Sequence, residues 1–462
     1  MANFLYPLPF YAAELPKIIG FSFINSVKII FVTATIASVI AIYWALKKRY
    51  SQVASFVGAV LYLYLPYRFV DLYVRGSIGE NLAFVFMPIA LGAFFQIHKG
   101  KKFYLPILSL SFGLLLLSHN VIALLFVILM AVLIVAHKKY RKETTAFTVL
   151  GLLIGAFFWI PALVELQSVR LSQIKVSEIS NHLVNIDKLL MPQWGYSPDP
   201  NSTGGLSVQL GLVSVFLFLA TAVAITFSKK RDNLVLALTI IYLPIVFLMT
   251  RYAELIWKYV PGLDVIQFPW RMLAIIVLVT AVFGAFIVDY AKNKKTVAVL
   301  LVIAAILSTL LYTKPRTFTN QPDGFYSTNE STTTVRDEYM PLWVKKPSNA
   351  RANTKIEAQG ASLANVVISP SIYKARINAD KDINVTVNTI YFPGWQVKSG
   401  NKDIPINYQN ERGLIMFQLP KGDHDVIIKY NETPVHLLSE FISIAALLAT
   451  GFFFLKWRKV KS

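Results

Sequence analysis

The sequence contains no cysteine. That absence excludes disulfides, a thiolate zinc site, a thiol nucleophile and a lipoprotein anchor, and it leaves the redox compartment unread. Charge is scarce as well: 15% of the 462 residues are charged against 55% hydrophobic, with a mean hydropathy of +0.54. A water-soluble globule of this size cannot hide so large an apolar fraction, so lipid must cover much of the surface. Acidic residues are the scarcer sign, 25 against 45 Lys plus Arg, giving a formal charge of +20 and a pI near 9.7. In a soluble chain that balance suggests nucleic acid. Here the basic residues cluster in short loops between apolar runs, as cytoplasmic loops do against anionic lipid, and no nucleic-acid partner is expected. A Walker loop, a His-x-x-x-His pair, a Gly-x-Ser-x-Gly elbow and a dinucleotide fingerprint are also missing, so ATP hydrolysis, zinc proteolysis and hydride transfer have no support.

What is present is a series of apolar runs near the length of about 20 helical residues that a bilayer core requires. They fall at 24–46, 52–66, 81–98, 103–118, 121–136, 146–164, 206–228, 233–249, 270–290, 296–312 and 436–455, which predicts about eleven transmembrane helices, the second short enough to be re-entrant. Basic clusters at Lys47–Arg49, His98–Lys102, His137–Lys142, Lys229–Arg231, Lys292–Lys295 and Lys456–Lys461 mark every second boundary. The positive-inside rule makes those loops cytoplasmic and places the N-terminus outside. The expected organisation is a multi-span domain over 1–312, an extracytoplasmic β-rich domain over 313–435, and a last helix with a basic cytoplasmic tail over 436–462. Within 313–435, Asn384–Phe392, Gly413–Leu419 and Asp425–Tyr430 alternate apolar and polar residues with strand period. Turn residues at Ser399–Lys402 and Pro420–Asp423 suggest a small antiparallel sandwich, and the Thr-, Ser- and Asn-rich stretch near 320–335 reads as a mobile linker.

Three outward segments carry the unusual polar residues. The stretch Tyr62–Glu80 concentrates Arg68, Asp71, Arg75 and Glu80 beside the membrane, where ionisable groups are costly unless paired or functional. Arginine forks suit phosphate oxygens, and a carboxylate can orient or deprotonate an acceptor hydroxyl. An ion pair that only fixes a re-entrant loop is the structural alternative. Ser118-His119-Asn120 joins two apolar runs, and His119 is either a helix-capping group or a catalytic one. Gln267-Phe268-Pro269-Trp270-Arg271 opens another run, as an aromatic belt with a snorkelling arginine or as a lipid-phosphate contact. The topology puts all three segments in one layer at the outer boundary, so a shared site there is expected.

Those same stretches, Leu65–Glu80, Leu117–Asn120 and Gln267–Arg271, resemble the bacterial membrane proteins called 6-pyruvoyl-tetrahydropterin synthase-related, a name that implies no pterin chemistry. The ending, Tyr391-Phe392-Pro393-Gly394-Trp395, then Pro420–His424 and a final span, is similar to YfhO-type membrane proteins. Both groups look like relatives of the GT-C glycosyltransferases, which transfer a sugar from a polyprenyl-phosphate donor at the outer face. The resemblance implies a GT-C-like polytopic fold, a plasma-membrane location in the cell envelope, and a polyprenyl-phosphate-linked sugar and membrane lipid as partners. On the chemistry of the residues themselves, Asp71, Glu80 and His119 are the catalytic candidates, and Arg68, Arg75, Asn120, Gln267, Trp270 and Arg271 the candidates for binding lipid phosphate or substrate. The catalytic acid of GT-C enzymes usually lies in a first outer loop after an additional span. The opening Asn3–Tyr11 looks like the closing segment of that loop, so a truncated and weakly active or inactive enzyme is expected.

Three functions follow: a GT-C-like glycosyltransferase, a non-catalytic scaffold that binds and presents a lipid-linked saccharide, and a transporter. No inverted repeat is visible and the polar residues lie at one face rather than at the midplane, which ranks the transporter third. The sequence assigns no cofactor and no metal ligand, and leaves participation of a divalent metal open.

Overall fold

The computed structural model describes residues 4–174, 178–227, 232–328, 337–347 and 352–458. The Lys229–Arg231 cluster, residues 329–336 of the expected linker, and the tail beyond 458 lie outside the described residues. The chain divides into two compact units, one of Met1–Phe4, Trp159–Val176 and Gly324–Phe441, the other of Leu5–Phe158, Ser177–Asp323 and Ile442–Ser462.

The larger unit is helical. Its long elements are α1 Leu8–Ile18, α2 Phe23–Lys47, α3 Gln52–Leu63, α4 Ile78–His98, α5 Tyr104–Ser118, α6 Asn120–Ala136, α7 Arg141–Ile154, α8 Leu212–Phe227, α9 Asn233–Leu248, α10 Leu273–Tyr290 and α11 Lys294–Thr309. Every expected apolar run falls on a helix or a bent helix pair. Among the described residues, five helices are long and apolar enough to cross a membrane, or up to seven when each bent pair forms one span. Four further apolar helices, α5, α6, α8 and α9, are shorter than that criterion. The second run is bent as its length suggested: α3 meets Pro66–Arg75 at 50°. The helix Ala156–Glu165 leaves this unit for the other, and Pro434–Arg458 returns from it.

Close packing within the unit depends on small residues and polar contacts between helices, since apolar burial alone cannot drive helix association in lipid. A Cβ on Gly58 would stand 2.7 Å from the Ala281 carbonyl oxygen, so only glycine lets α3 approach α10 this closely. Ser214 of α8 bonds Tyr242 of α9 at 3.0 Å and Thr280 of α10 at 2.6 Å. The basic loops gather at one end. Arg49 holds Asp232 with Nη2 at 2.6 and 2.7 Å from its two oxygens, Lys99 donates to the Lys48 carbonyl, and His98 lies 5.0 Å from His137, ring to ring. Asp232 also caps α9 by accepting from the N–H groups of Leu234 and Val235.

The smaller unit carries the strands. A three-stranded antiparallel sheet has the order β1-β4-β7 (Ile356–Ala358, Ile383–Ile390, Leu414–Leu419). A five-stranded antiparallel sheet has the order β2-β3-β8-β5-β6 (Ala361–Ile368, Ile372–Ala379, Gly422–Tyr430, Trp395–Ser399, Lys402–Ile404). The three alternating runs are β4, β7 and β8, and their inward residues meet in one apolar cluster that includes Val385, Val387, Phe417, Val426 and Ile428. The two turn signals do different work. Gly400-Asn401 closes the β5–β6 hairpin, whereas Pro420-Lys421 carries the chain from one sheet to the other. Within the stretch read as a linker, Asp323–Ser327 is a short helix.

Candidate functional site

Opposite the basic end of the helical unit, the chain bends after α3 because Pro66 cannot continue a hydrogen-bonded helix from Leu65. One turn of α-helix, Pro66–Phe69, passes into a π-helical turn, Val70–Arg75, a rare element that recurs at functional sites. Gly76, at φ 57°, takes the left-handed conformation that ends it, and Ser77 then caps α4 by accepting from the Glu80 N–H. The result brings Asp71, Arg75 and Glu80 together across the bend, with Glu80 in the first turn of α4 where the helix dipole favours an anion.

Arg75 is the hub. Its Nη1 lies 2.6 Å from Glu80 Oε2 and 2.9 Å from Asp71 Oδ1, and donates to the Tyr67 hydroxyl at 3.0 Å. Tyr67 in turn donates to Glu80 Oε2 at 2.8 Å. Asp71 is completed by the Asn81 amide at 2.9 Å. From the next elements, His119 Nε2 reaches within 3.5 Å and Arg271 Nε within 3.7 Å of Glu80 Oε1. Trp270 lies beneath the Arg75 guanidinium at 4.7 Å, and Phe268 beneath that of Arg271 at 4.8 Å. The Gln267 side chain accepts from Arg271 at 3.0 Å, and its backbone holds φ 63°, a strained value for a residue with a Cβ.

Asp71, Glu80, Arg75, His119, Trp270, Gln267 and Arg271 are thus one assembly. Two candidates are not in it. Asn120 is exposed, and its side chain caps the N–H of its own neighbour, Val121, at 2.8 Å. Arg68 points between α2 and α4, donating to Ser38 at 2.9 Å with its guanidinium 4.0 Å above the Phe84 ring. His119 is a helix cap, Nδ1 accepting from the Ile122 N–H at the start of α6, and its Nε2 faces Glu80.

Sequence reasoning missed Tyr67, Asn81 and, above all, Tyr6. The Tyr6 ring packs 4.9 Å from His119, and burial together with the Glu80 carboxylate pushes its phenol above the usual value, so it stays a neutral donor. Gly79 makes room for it: a Cβ there would lie 2.4 Å from Tyr6 Cε2 and 2.5 Å from the Ser118 carbonyl oxygen. Only the run of aromatic residues at the start of the chain signalled it, and nothing in that pattern indicated its partner.

Charge and satisfaction define what the assembly can do. Within the assembly two guanidiniums, those of Arg75 and Arg271, face two carboxylates, so the formal charges balance, and the Arg68 guanidinium outside it adds one positive charge nearby. Several buried polar atoms have no hydrogen-bond partner: Glu80 Oε1, Arg271 Nε, Trp270 Nε1, and Nε and Nη1 of Arg68. The donors among them, Arg271 Nε, Trp270 Nε1 and the two Arg68 nitrogens, are costly to leave unmatched and an anion would satisfy them, whereas Glu80 Oε1 is an acceptor that only a donor meets. Among the described residues no group of three or more His, Asp or Glu side chains is arranged to hold a metal ion.

No curated protein and no solved structure matches the chain. Residues 3–315, more than half of the sequence, match the family model described as "6-pyruvoyl-tetrahydropterin synthase related domain; membrane protein". The match contains every residue of the assembly, and the chain therefore belongs to the membrane proteins of the 6-pyruvoyl-tetrahydropterin synthase-related family.

Proposed function

We propose that the chain is a GT-C-like membrane glycosyltransferase, taking a sugar from a polyprenyl-phosphate donor at the outer face of the plasma membrane. The observation that carries this reading is the meeting of Arg75, His119 and Arg271 on Glu80, from three segments separated in sequence. In this reading Arg75 and Arg271, with Arg68 nearby, stabilise the leaving phosphate, the largest contribution such a site can make. Glu80 or Asp71, released from Arg75 as the phosphate takes its place, accepts the proton of the attacking hydroxyl. His119 holds Glu80 oriented. The gathering of the basic loops at the other end supports eleven spans with the C-terminus cytoplasmic and the N-terminus and β-rich region outside. The single apolar cluster fed by both sheets supports a sandwich for that region.

One observation favours a second reading, a scaffold that binds a lipid-linked saccharide without turning it over: Glu80 and Asp71 are both fully buried and held by Arg75. Both readings require binding of polyprenyl phosphate. Native mass spectrometry of the full chain with polyprenyl phosphate tests that requirement, with binding expected for the wild type and lost in R75A/R271A. Absence of binding sinks both. Release of polyprenyl phosphate from a labelled polyprenyl-phosphate sugar, abolished in Glu80→Gln, separates the enzyme from the scaffold.

A further inference from the structure

The assembly around Glu80 offers groups for a phosphate and a proton. A second feature of the helical unit has a different chemistry. An open depression of about 340 Å3 at the surface is lined by Ser180, Asn181, Asp199, Asn201, Arg251 and Glu254, of which Ser180, Asn181, Arg251 and Glu254 are exposed. The six come from three loop segments: the 3-10 turn Ile179–His182, the turn around Asn201, and the 3-10 turn Arg251–Ala253 that leads into Glu254–Tyr259.

These segments are tied together. The Asn201 amide donates to the carbonyls of Asn181 at 3.0 Å and Leu183 at 3.1 Å, and the Asn201 N–H donates to Asp199 Oδ1 at 2.8 Å. Val184 N–H donates to the Met249 carbonyl at 3.1 Å, and Arg251 N–H to the Val184 carbonyl at 3.0 Å. The backbone of the three segments and the Asn201 side chain are therefore held before a ligand arrives, which lowers part of the ordering cost of binding.

The lining specifies the ligand. None of the six residues is apolar, so a lipid chain or an aromatic ring has nothing to pack on. Two carboxylates against one guanidinium leave an excess of one negative charge, which disfavours phosphates, sulfates and uronic acids. Carboxylate acceptors, guanidinium and amide donors, and a hydroxyl that serves as either, are the partners a polyhydroxyl compound needs. The volume lies at the lower end of small-molecule sites, which span roughly 300–1,000 Å3, and suits a mono- or disaccharide.

The depression is also next to the first site. His182 follows Asn181 in the chain, and its ring meets Phe268 edge-on at 4.7 Å. Phe268 is the ring beneath Arg271. His182 feels both the Asp199 carboxylate and the Arg271 guanidinium electrostatically.

We infer that this depression is a saccharide subsite for an uncharged or amino sugar, joined through His182 and Phe268 to the arginine-rich assembly. The inference rests on the glycosyl-transfer reading for that sugar's role, the acceptor, and not for its binding.

Saturation-transfer NMR on the full chain in nanodiscs tests it, with glucose, N-acetylglucosamine, glucosamine, maltose, glucuronic acid and glucose 6-phosphate as probes. Saturation of at least one neutral or amino sugar is expected, with none for the two anionic ones. The variant Arg251→Ala/Glu254→Gln alters two exposed lining side chains and should weaken binding about tenfold, as loss of charged hydrogen bonds does. Asp199→Asn should weaken it too, and size-exclusion profiles and melting midpoints check that both variants fold. Glu80→Gln should bind sugar as the wild type does. Failure of every neutral and amino sugar, preference for the anionic sugars, or unchanged binding in both lining variants overturns the subsite. Loss of sugar binding in Glu80→Gln overturns it as well, because the sugar then sits in the assembly. Sugar binding without turnover leaves the subsite standing and counts against the enzyme.

Discussion

Two arginine–carboxylate groupings stand at opposite ends of the same helical unit, and they are built differently. Arg49 and Asp232 form a one-to-one bidentate pair whose side chains are 28% and 21% exposed, and Asp232 spends its remaining capacity capping α9. Such a pair pins two loops and offers little to a ligand. At the other end Glu80 is fully buried and answers to Arg75, Arg271 and His119 at once. That grouping sets two guanidiniums against two carboxylates and leaves Arg271 Nε and Trp270 Nε1 unmatched, where the first pair leaves Arg49 Nε. The difference is depth: the Arg49–Asp232 pair is partly exposed, whereas Asp71 and Glu80 are fully buried and desolvation costs more there. The unmatched donors beside Glu80 are what an anionic ligand would meet.

Removing the hub should show the contrast at its largest. Arg75→Met leaves Asp71 and Glu80 buried without their shared cation, and breaking a buried pair in this way costs roughly 3–5 kcal/mol. A fall in the melting midpoint of the purified protein is expected, with partial recovery when Glu80→Gln is added. A recovery of zero in that double-mutant cycle would deny that the two residues interact as the geometry indicates.

A smaller loss is expected from Gly79→Ala. The added methyl meets the Ser118 carbonyl, which is backbone and cannot swing aside, as well as the Tyr6 ring. Overpacking of this kind costs roughly 1–3 kcal/mol. Tyr6→Ala in the same background relieves only the ring, so the melting midpoint should recover in part. Full recovery would show that the backbone contact with Ser118 is not limiting. At the basic end, Arg49→Met should cost about 1 kcal/mol or less, the range for a partly exposed pair. A loss equal to that of Arg75→Met would erase the distinction between the two ends.

How much of this was legible depended on the kind of signal. Apolar runs near bilayer length placed the helices, because hydropathy integrates over many residues, and the density of Arg68, Asp71, Arg75 and Glu80 beside a span marked the bend. Tyr67, Asn81 and Tyr6 were not found. A tyrosine in an apolar run has no periodic signature, and Tyr6 meets His119 only through tertiary folding across more than a hundred residues. Asn120 shows the opposite: its place in Ser118-His119-Asn120 points to the site, whereas its side chain accepts from the Val121 N–H, as side chains at the start of a helix do. In the β-rich region, alternation identified β4, β7 and β8 as strands, yet period two reports which face a residue takes and not which strand it pairs with. The division into two sheets at Pro420-Lys421 was therefore unreadable.

The smallest expected effect concerns the connection between the two sites. Burial pushes the His182 imidazole below its ordinary value, Asp199 opposes that shift, and Arg271 adds to it. A histidine with a depressed folded-state pKa binds protons more readily when its surroundings open. Its contribution to holding the 179–184 segment closed is complete above the ordinary value, about 6.5, and declines as pH falls from there toward the folded-state value. Hydrogen exchange of this segment should therefore quicken, beyond the intrinsic pH dependence of exchange, as pH is lowered through that window. Substitution by a residue that keeps the ring contact with Phe268 and cannot titrate, His182→Phe, should remove the extra dependence. An identical pH profile in His182→Phe would assign the loosening to another group. The basic end supplies the control, since the Arg49–Asp232 pair lies at the opposite end of the unit and exchange in the first turns of α9, beside Asp232, should keep one pH profile in both proteins.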